Sequence, residues 1–226
     1  YVIDFLYSCS VCAMHISRIA EELIIWNSDA FNLINLNDKI VTGSSIMPQK
    51  RNPDTLEYLR GKTATTIGNL ISMQTILKGL PLSYFKDLQD DKELVFNSFD
   101  HIVNCFRILR DVLNNFSPNK KKMSEFSKIG HITSTDLADF IVRDLKYPFR
   151  KAYLITAKIV NLAEKKGKQL NEMSLSEIRS IDKKIGEDVL NIIKVNNSVN
   201  SKKSYGGTSF DNVKKMIKKY KKQIND

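Results

Sequence analysis

The sequence predicts an all-α protein: a long-helix bundle followed by a smaller all-helical domain. Three observations lead there. Three long segments keep apolar side chains at helical spacing. No segment shows the alternation of a half-buried strand, and no internal repeat is visible. The breaks fall at clusters of Gly, Pro, Asn and Asp, which start and stop helices. Helices this long stack as a bundle rather than as short elements around a small core.

The first helix covers residues 1–26, where Phe5, Leu6, Cys9, Val11, Cys12, Ile16, Ile19, Ala20, Leu23 and Ile24 make a broad apolar face. Residues 27–52 read as a loop rich in Asn, Asp, Ser and Gly, pinned down by Phe31, Leu33, Ile34 and Leu36. Asn52 suits the N-cap of the second helix, Pro53 its first position, and Asp54 the positive end of its dipole. That helix runs to about Leu77, where Lys78-Gly79-Leu80-Pro81 stops it. A third helix over roughly 87–115 has Leu94, Phe96, Phe99, Ile102, Val103, Phe106, Leu109 and Leu113 as its apolar side. After Ser117-Pro118 the elements shorten and lysine rises. Thr133-x-x-Asp136 and Ser174-x-x-Glu177 read as capping boxes, and Gly167 is placed to end a helix over 149–166. These changes set a domain boundary near Pro118, with residues 1–118 in the bundle and 119–226 in the smaller domain.

Charge and cysteine content exclude several classes. The net charge of +10 over 226 residues invites a nucleic-acid reading. The basic runs at 120–122, 165–168, 183–184 and 214–222 are lysines without interleaved aromatics or arginine forks, and they read as solvated helix faces. Cys9, Cys12 and Cys105 form no framework: Cys9-x-x-Cys12 lies in an apolar helical run, where both act as small buried hydrophobes in reduced form. Asp4, His15 and Arg18 interrupt the apolar stretch near the start, so no transmembrane segment is expected. That stretch also lacks the basic region and cleavage site of a signal peptide.

The most informative stretch is Thr42-Gly43-Ser44-Ser45-Ile46-Met47-Pro48-Gln49-Lys50-Arg51-Asn52-Pro53. It sets hydroxyls, a glycine hinge, two cations and two amides between two strongly helical segments. By residue types alone it is either an ordinary helix connection or a mobile, cationic, hydroxyl-bearing loop suited to an anionic substrate. The residues 43–53 resemble the signature loop of the fumarase/aspartase superfamily, whose members break C–N or C–O bonds and release fumarate. Gln49, and the run from Gly79 through Tyr84 to Asp87-Leu88-Gln89-Asp90-Asp91-Lys92-Glu93, resemble its argininosuccinate lyase branch in particular. His15 to Leu23, Asp136 to Asp139, Pro148-Phe149-Arg150 and Ser204 to Thr208 follow in the family's order, so the resemblance covers essentially the whole chain. Members of that branch are about twice as long, which implies that this chain is the C-terminal half of such an enzyme.

The resemblance implies roles. Cleaving fumarate from an N-linked succinyl group removes a weakly acidic proton beside a carboxylate. The site must therefore stabilise a dianionic aci-carboxylate and supply both a base and an acid. Ser44 matches the catalytic serine and serves as base, which requires cations and backbone donors around its hydroxyl. Lys50 stabilises the aci-carboxylate, Asn52 holds a substrate carboxylate, and Ser45 is a secondary donor to substrate. Glu57 matches the glutamate that orients the histidine handling the leaving group. That histidine has no counterpart here: His15 reads as a packing residue within a helix, and His101 and His131 lack the flanking motif. The acid is therefore expected from the missing half or another subunit. Tyr84, Gln89 and Lys92 match positions binding the amino-acid end and the carboxylates of argininosuccinate. Phe85 departs from the family, which usually has Asn there. Asp87, Asp90 and Asp91 read as a solvated helix start rather than metal ligands. No metal and no cofactor is implied. The family assembles as a cytoplasmic homotetramer with composite sites, which fits helices whose apolar faces one half-chain cannot bury. The alternatives are a sister lyase acting on adenylosuccinate, fumarate or aspartate, and a non-catalytic helical assembly protein.

Overall fold

The computed structural model describes residues 1–225, and the chain divides into two compact units, Tyr1–Met123 and Ser124–Asp226. In the first, helices α1 (Val2–Asn27), α2 (Asp54–Leu77) and α3 (Asp91–Asn114) pack against one another. Along α1 the buried residues Leu6, Cys9, Ala13, Ile16, Ala20 and Leu23 are spaced alternately by three and four, the seam of a helix facing close neighbours. Ala13 and Ala20 keep that seam shallow, so the backbones approach and the Thr63 hydroxyl of α2 reaches the Ala13 carbonyl at 3.0 Å. Between α2 and α3, the Asn69 amide donates to Asn97 and to the fully buried Ser98 hydroxyl, both at 2.9 Å. By length and composition alone α1 is apolar enough to cross a membrane. It is instead packed against α2 and α3, and such a composition also suits a bundle core helix.

The linker 28–53 is more ordered than expected. Strand β1 (Ile34–Leu36) pairs antiparallel with β2 (Phe116–Pro118), Asn35 opposite Ser117. Strands of three residues are too short to show an alternating pattern, and their pairing joins segments far apart in sequence. Ile34 and Leu36 are buried as anticipated, whereas Phe31 is exposed. Asn52 is not the N-cap of α2: its backbone N–H and C=O both bond Thr42, and Pro53 supplies the carbonyl that accepts the first helical bonds from Leu56 and Glu57. The third helix also starts later than expected. A 3-10 turn, Lys86–Asp90, precedes α3.

Helices α4 (Lys120–Phe126), α5 (Ser134–Leu145), α6 (Phe149–Lys165), α7 (Leu175–Arg179), α8 (Val189–Ile192), α9 (Val195–Ser201) and α10 (Phe210–Asn225) complete the chain. The core of the second unit centres on Leu137, Ile141, Ile159, Leu170, Ile178, Ile185 and Ile193, all essentially inaccessible. Gly167, at φ +64°, ends α6: its N–H bonds the Glu164 carbonyl, and Lys168 N–H bonds Ala163. The box at Ser174 and Glu177 is formed, and a second joins Gln169 to Glu172. The one anticipated at Thr133 is not. Its hydroxyl donates to the Ile193 carbonyl at 3.2 Å, and Asp136 accepts from Ser198 and Lys202. Partners from α8 and α9 displace the local cap.

Glu177 also accepts from Lys166 and Lys168, each at 2.8 Å, and these two ammonium groups hold its carboxyl well below the usual carboxylate range. A depressed folded pKa contributes stability that is complete above the ordinary value of 4.5 and is lost as pH falls below it. Glu177→Gln should lower the melting midpoint at neutral pH and flatten its decline below that value in calorimetric scans. An unchanged slope would place the acid sensitivity elsewhere.

Candidate active site

The loop between α1 and α2 closes on itself. Thr42 and Asn52 exchange backbone hydrogen bonds of 3.0 and 2.8 Å, and the Thr42 hydroxyl donates to the Asp54 carboxylate in the first turn of α2. Lys50 N–H bonds the Met47 carbonyl at 3.0 Å, closing a tight turn through Pro48-Gln49. Within this ring Ser44 is the one residue from 43 to 51 that is partly withdrawn from solvent. Its hydroxyl oxygen accepts from the backbone N–H groups of Ile46 and Met47 at 3.3 and 3.2 Å. Two donors converging on one oxygen favour negative charge there, the condition a serine base needs.

Ser45 and Lys50 are exposed on the same loop, and Asn52 stands at its root. Glu57 lies in the first turn of α2 beside Arg60, which ion-pairs with Glu21 of α1 at 2.5 Å. The Glu21 carboxylate raises the Arg60 pKa, and Glu57 adds to it. Ser44, Ser45, Lys50, Asn52 and Glu57 thus share one end of the bundle.

Tyr84, Gln89 and Lys92 do not join them. They follow the other end of α2, whose 24 residues at 1.5 Å each span about 36 Å. Tyr84 is 64% exposed, and Gln89 lies on the 3-10 turn. Lys92 is paired with the adjacent Asp91, which raises its pKa above the usual lysine range, with Tyr84 and Tyr1 close enough to contribute. Phe85 opens the 3-10 turn, its carbonyl accepting from Leu88 N–H at 3.0 Å.

None of the hydrogen bonds described for the loop involves a histidine. His15 is exposed, not packed, and lines a shallow groove with Arg18, Ile19, Glu22 and Ile25. Its place on α1 falls outside the 6/9/13/16/20/23 seam. His101 is half-buried on α3, and burial followed by the Lys62 charge lowers its pKa. His131 accepts the Leu170 N–H at 3.1 Å, with Glu164 4.0 Å from its other nitrogen. Burial raises the thiol pKa of Cys9, Cys12 and Cys105, which makes them poor nucleophiles. Among the described residues no group of three or more His, Cys, Asp or Glu is arranged to hold a metal ion.

The residues that hold the loop in place come from the loop's root and from the segment before it. Besides Thr42 and Asp54, Arg51 donates to the Leu36 carbonyl and pairs with Asp38, both at 2.7 Å. The Thr55 hydroxyl bonds the Ile40 carbonyl at 2.8 Å. The sequence shows only the charge of Arg51; its partners, Leu36 and Asp38, are brought to it by the β1 segment.

The fold is that of the fumarase/aspartase-type helical lyases. A variant of EDDS lyase with bound fumarate superposes with a TM-score of 0.87 at 23% identity, over 99% of this chain and 46% of its own. The class II fumarase of Schistosoma mansoni superposes with a TM-score of 0.69 at 20% identity, over 86% of this chain and 38% of its own. The sequence is narrower in its affinities. Residues 1–68 match the family described as Lyase, and residues 131–200 match Argininosuccinate lyase C-terminal. The argininosuccinate lyase of Pelagibacter ubique is 66% identical over 222 residues, 98% of this chain and 48% of that protein. That of Nitratiruptor sp. is 46% identical over 226 residues, covering 100% and 49%. This chain is a homologue of the argininosuccinate lyases, and it spans about half the length of the curated relatives it matches.

Proposed function

We propose that this chain serves in an argininosuccinate lyase, which cleaves argininosuccinate to arginine and fumarate by β-elimination in cytoplasmic arginine biosynthesis. The observation that carries the reading is the pair of backbone N–H groups on Ser44 Oγ. Ser44 removes the proton beside the succinyl carboxylate. Lys50 places its charge on the aci-carboxylate, where negative charge accumulates, and the Asn52 amide and Ser45 hydroxyl hold the carboxylates in place. Glu57 orients the group that protonates the departing nitrogen. That acid comes from outside this loop.

Tyr84, Gln89 and Lys92 bind substrate at a site whose Ser44 loop belongs to another copy, since α2 separates the two sets within one chain by about 36 Å. The reading therefore includes a homo-oligomer, a homotetramer by family resemblance. A second seam on α3 supports assembly. Phe96, Phe99 and Phe106, each at least half exposed, follow one another through Val103 at steps of three, four and three, and Leu113, also half exposed, lies seven further on, beside the stripe of buried Ser98, Ile102, Cys105 and Val112.

The test is to co-express the chain with the N-terminal half of the Pelagibacter ubique relative, supply argininosuccinate and follow fumarate absorbance. This completed enzyme should release fumarate. A folded assembly that binds no argininosuccinate and releases nothing would leave a non-catalytic helical assembly protein as the reading. Turnover of adenylosuccinate instead would move the assignment to a sister lyase.

A further inference from the structure

We infer that Arg51 is a positioning residue for the signature loop: anchored on β1, it holds its two neighbours, Lys50 and Asn52, toward the substrate. The inference rests on the function proposed for those two residues.

Among the described residues, the hydrogen bonds of residues 43–50 run within the loop: Ser44 Oγ accepts from the Ile46 and Met47 amides, and Lys50 N–H donates to the Met47 carbonyl. These bonds do not tie the loop to the bundle; the bonds that do lie at its root. There the Thr42–Asn52 pairing joins the two limbs to each other and, through the Thr42 hydroxyl, to Asp54. Arg51 supplies the link to the other side. Its Nη2 reaches the Leu36 carbonyl and the Asp38 carboxylate together, both at 2.7 Å. Leu36 is buried and its strand is paired with β2, so this anchor is part of the core rather than another loop.

The two contacts differ in weight. Arg51 and Asp38 are 53% and 85% exposed, and an ion pair so open to water contributes little. The bond to the Leu36 carbonyl is charge-assisted and partly buried, and it fixes direction as well as distance. Lys50 and Asn52 are the immediate neighbours of Arg51 on this limb, so its anchor on β1 limits how far either can turn. Releasing Arg51 frees the limb to rotate, and the lysine and amide lose their fixed placement.

Two measurements test this. In the 226-residue chain, Arg51→Ala should speed amide hydrogen exchange in residues 42–52 at least about tenfold, while α2 and the β1–β2 pair keep their protection. Exchange unchanged in the loop, or raised equally everywhere, would overturn the proposal. In the completed enzyme, Arg51→Ala should lower kcat and raise KM, each by about tenfold, because Lys50 acts in the transition state and Asn52 in substrate binding as well. Asp38→Asn should change either less than about threefold, and Arg51→Lys should fall between. Arg51→Ala kinetics equal to those of the unsubstituted enzyme, with only a lower melting midpoint, would reduce Arg51 to a structural residue and overturn the inference. A completed enzyme that never turns over argininosuccinate would remove the function of the loop, while the exchange measurement would still report on the anchor.

Discussion

Replacing Ser44 with alanine in the completed enzyme should lower kcat by at least about a hundredfold, the scale of one lost general base. Argininosuccinate affinity should stay within roughly tenfold, because the hydroxyl acts mainly in the transition state. The geometry explains the size. Ser44 Oγ faces the Ile46 and Met47 amides at 3.3 and 3.2 Å, and alanine leaves both donors without an acceptor where negative charge should develop. Fumarate absorbance under saturating substrate gives kcat, and titration of inactive enzyme with argininosuccinate gives affinity. Retention of more than about a tenth of the activity would take the base role from Ser44 and turn attention to Ser45, exposed on the same loop.

The second large effect is a rescue. Ser44→Ala and Lys92→Glu should each reduce kcat/KM by at least about a hundredfold, the first by removing a base and the second by setting a like charge against the substrate carboxylate. Unfolded together and refolded as a mixture, they should recover up to about a quarter of the normal rate, the statistical share of sites built from two intact contributions in a mixed symmetric assembly. The expectation follows from α2, whose 24 residues keep the two positions about 36 Å apart within one chain. If each site were built within a single chain, every site in the mixture would carry one lesion and no activity would return. Native mass spectrometry of the mixture, with one variant isotopically labelled, confirms that hybrids formed.

The helical architecture was legible because its signal is local. The steps of three and four from Leu6 to Leu23 lie on one short stretch of chain, and Gly167 has the residue type that its left-handed backbone demands. The loop was legible for another reason: Ser44, Lys50 and Asn52 are recognised by order and type, which need no coordinates. What was misread depended on partners distant in sequence. Thr133 followed by Asp136 fits a capping box, yet both side chains go to α8, α9 and their surroundings, where Ile193, Ser198 and Lys202 offer better-placed groups. Asn52 suits an N-cap, but its backbone is committed to Thr42. His15 sits in an apolar run, yet it falls on the outward side of α1.

The sequence by itself determined the four longest stretches read as helix, α1, α2, α3 and α6, with their approximate ends, and the chemical inventory of the loop, because periodicity, capping residues and motif order are properties of neighbouring positions. Only the tertiary structure decided where that inventory goes. It placed two N–H groups on Ser44, tied Arg51 to β1, and put Tyr84, Gln89 and Lys92 at the far end of α2. The physical reason is that hydrogen bonds and ion pairs depend on distance and direction in space, and a rigid helix 24 residues long separates groups that share one motif set.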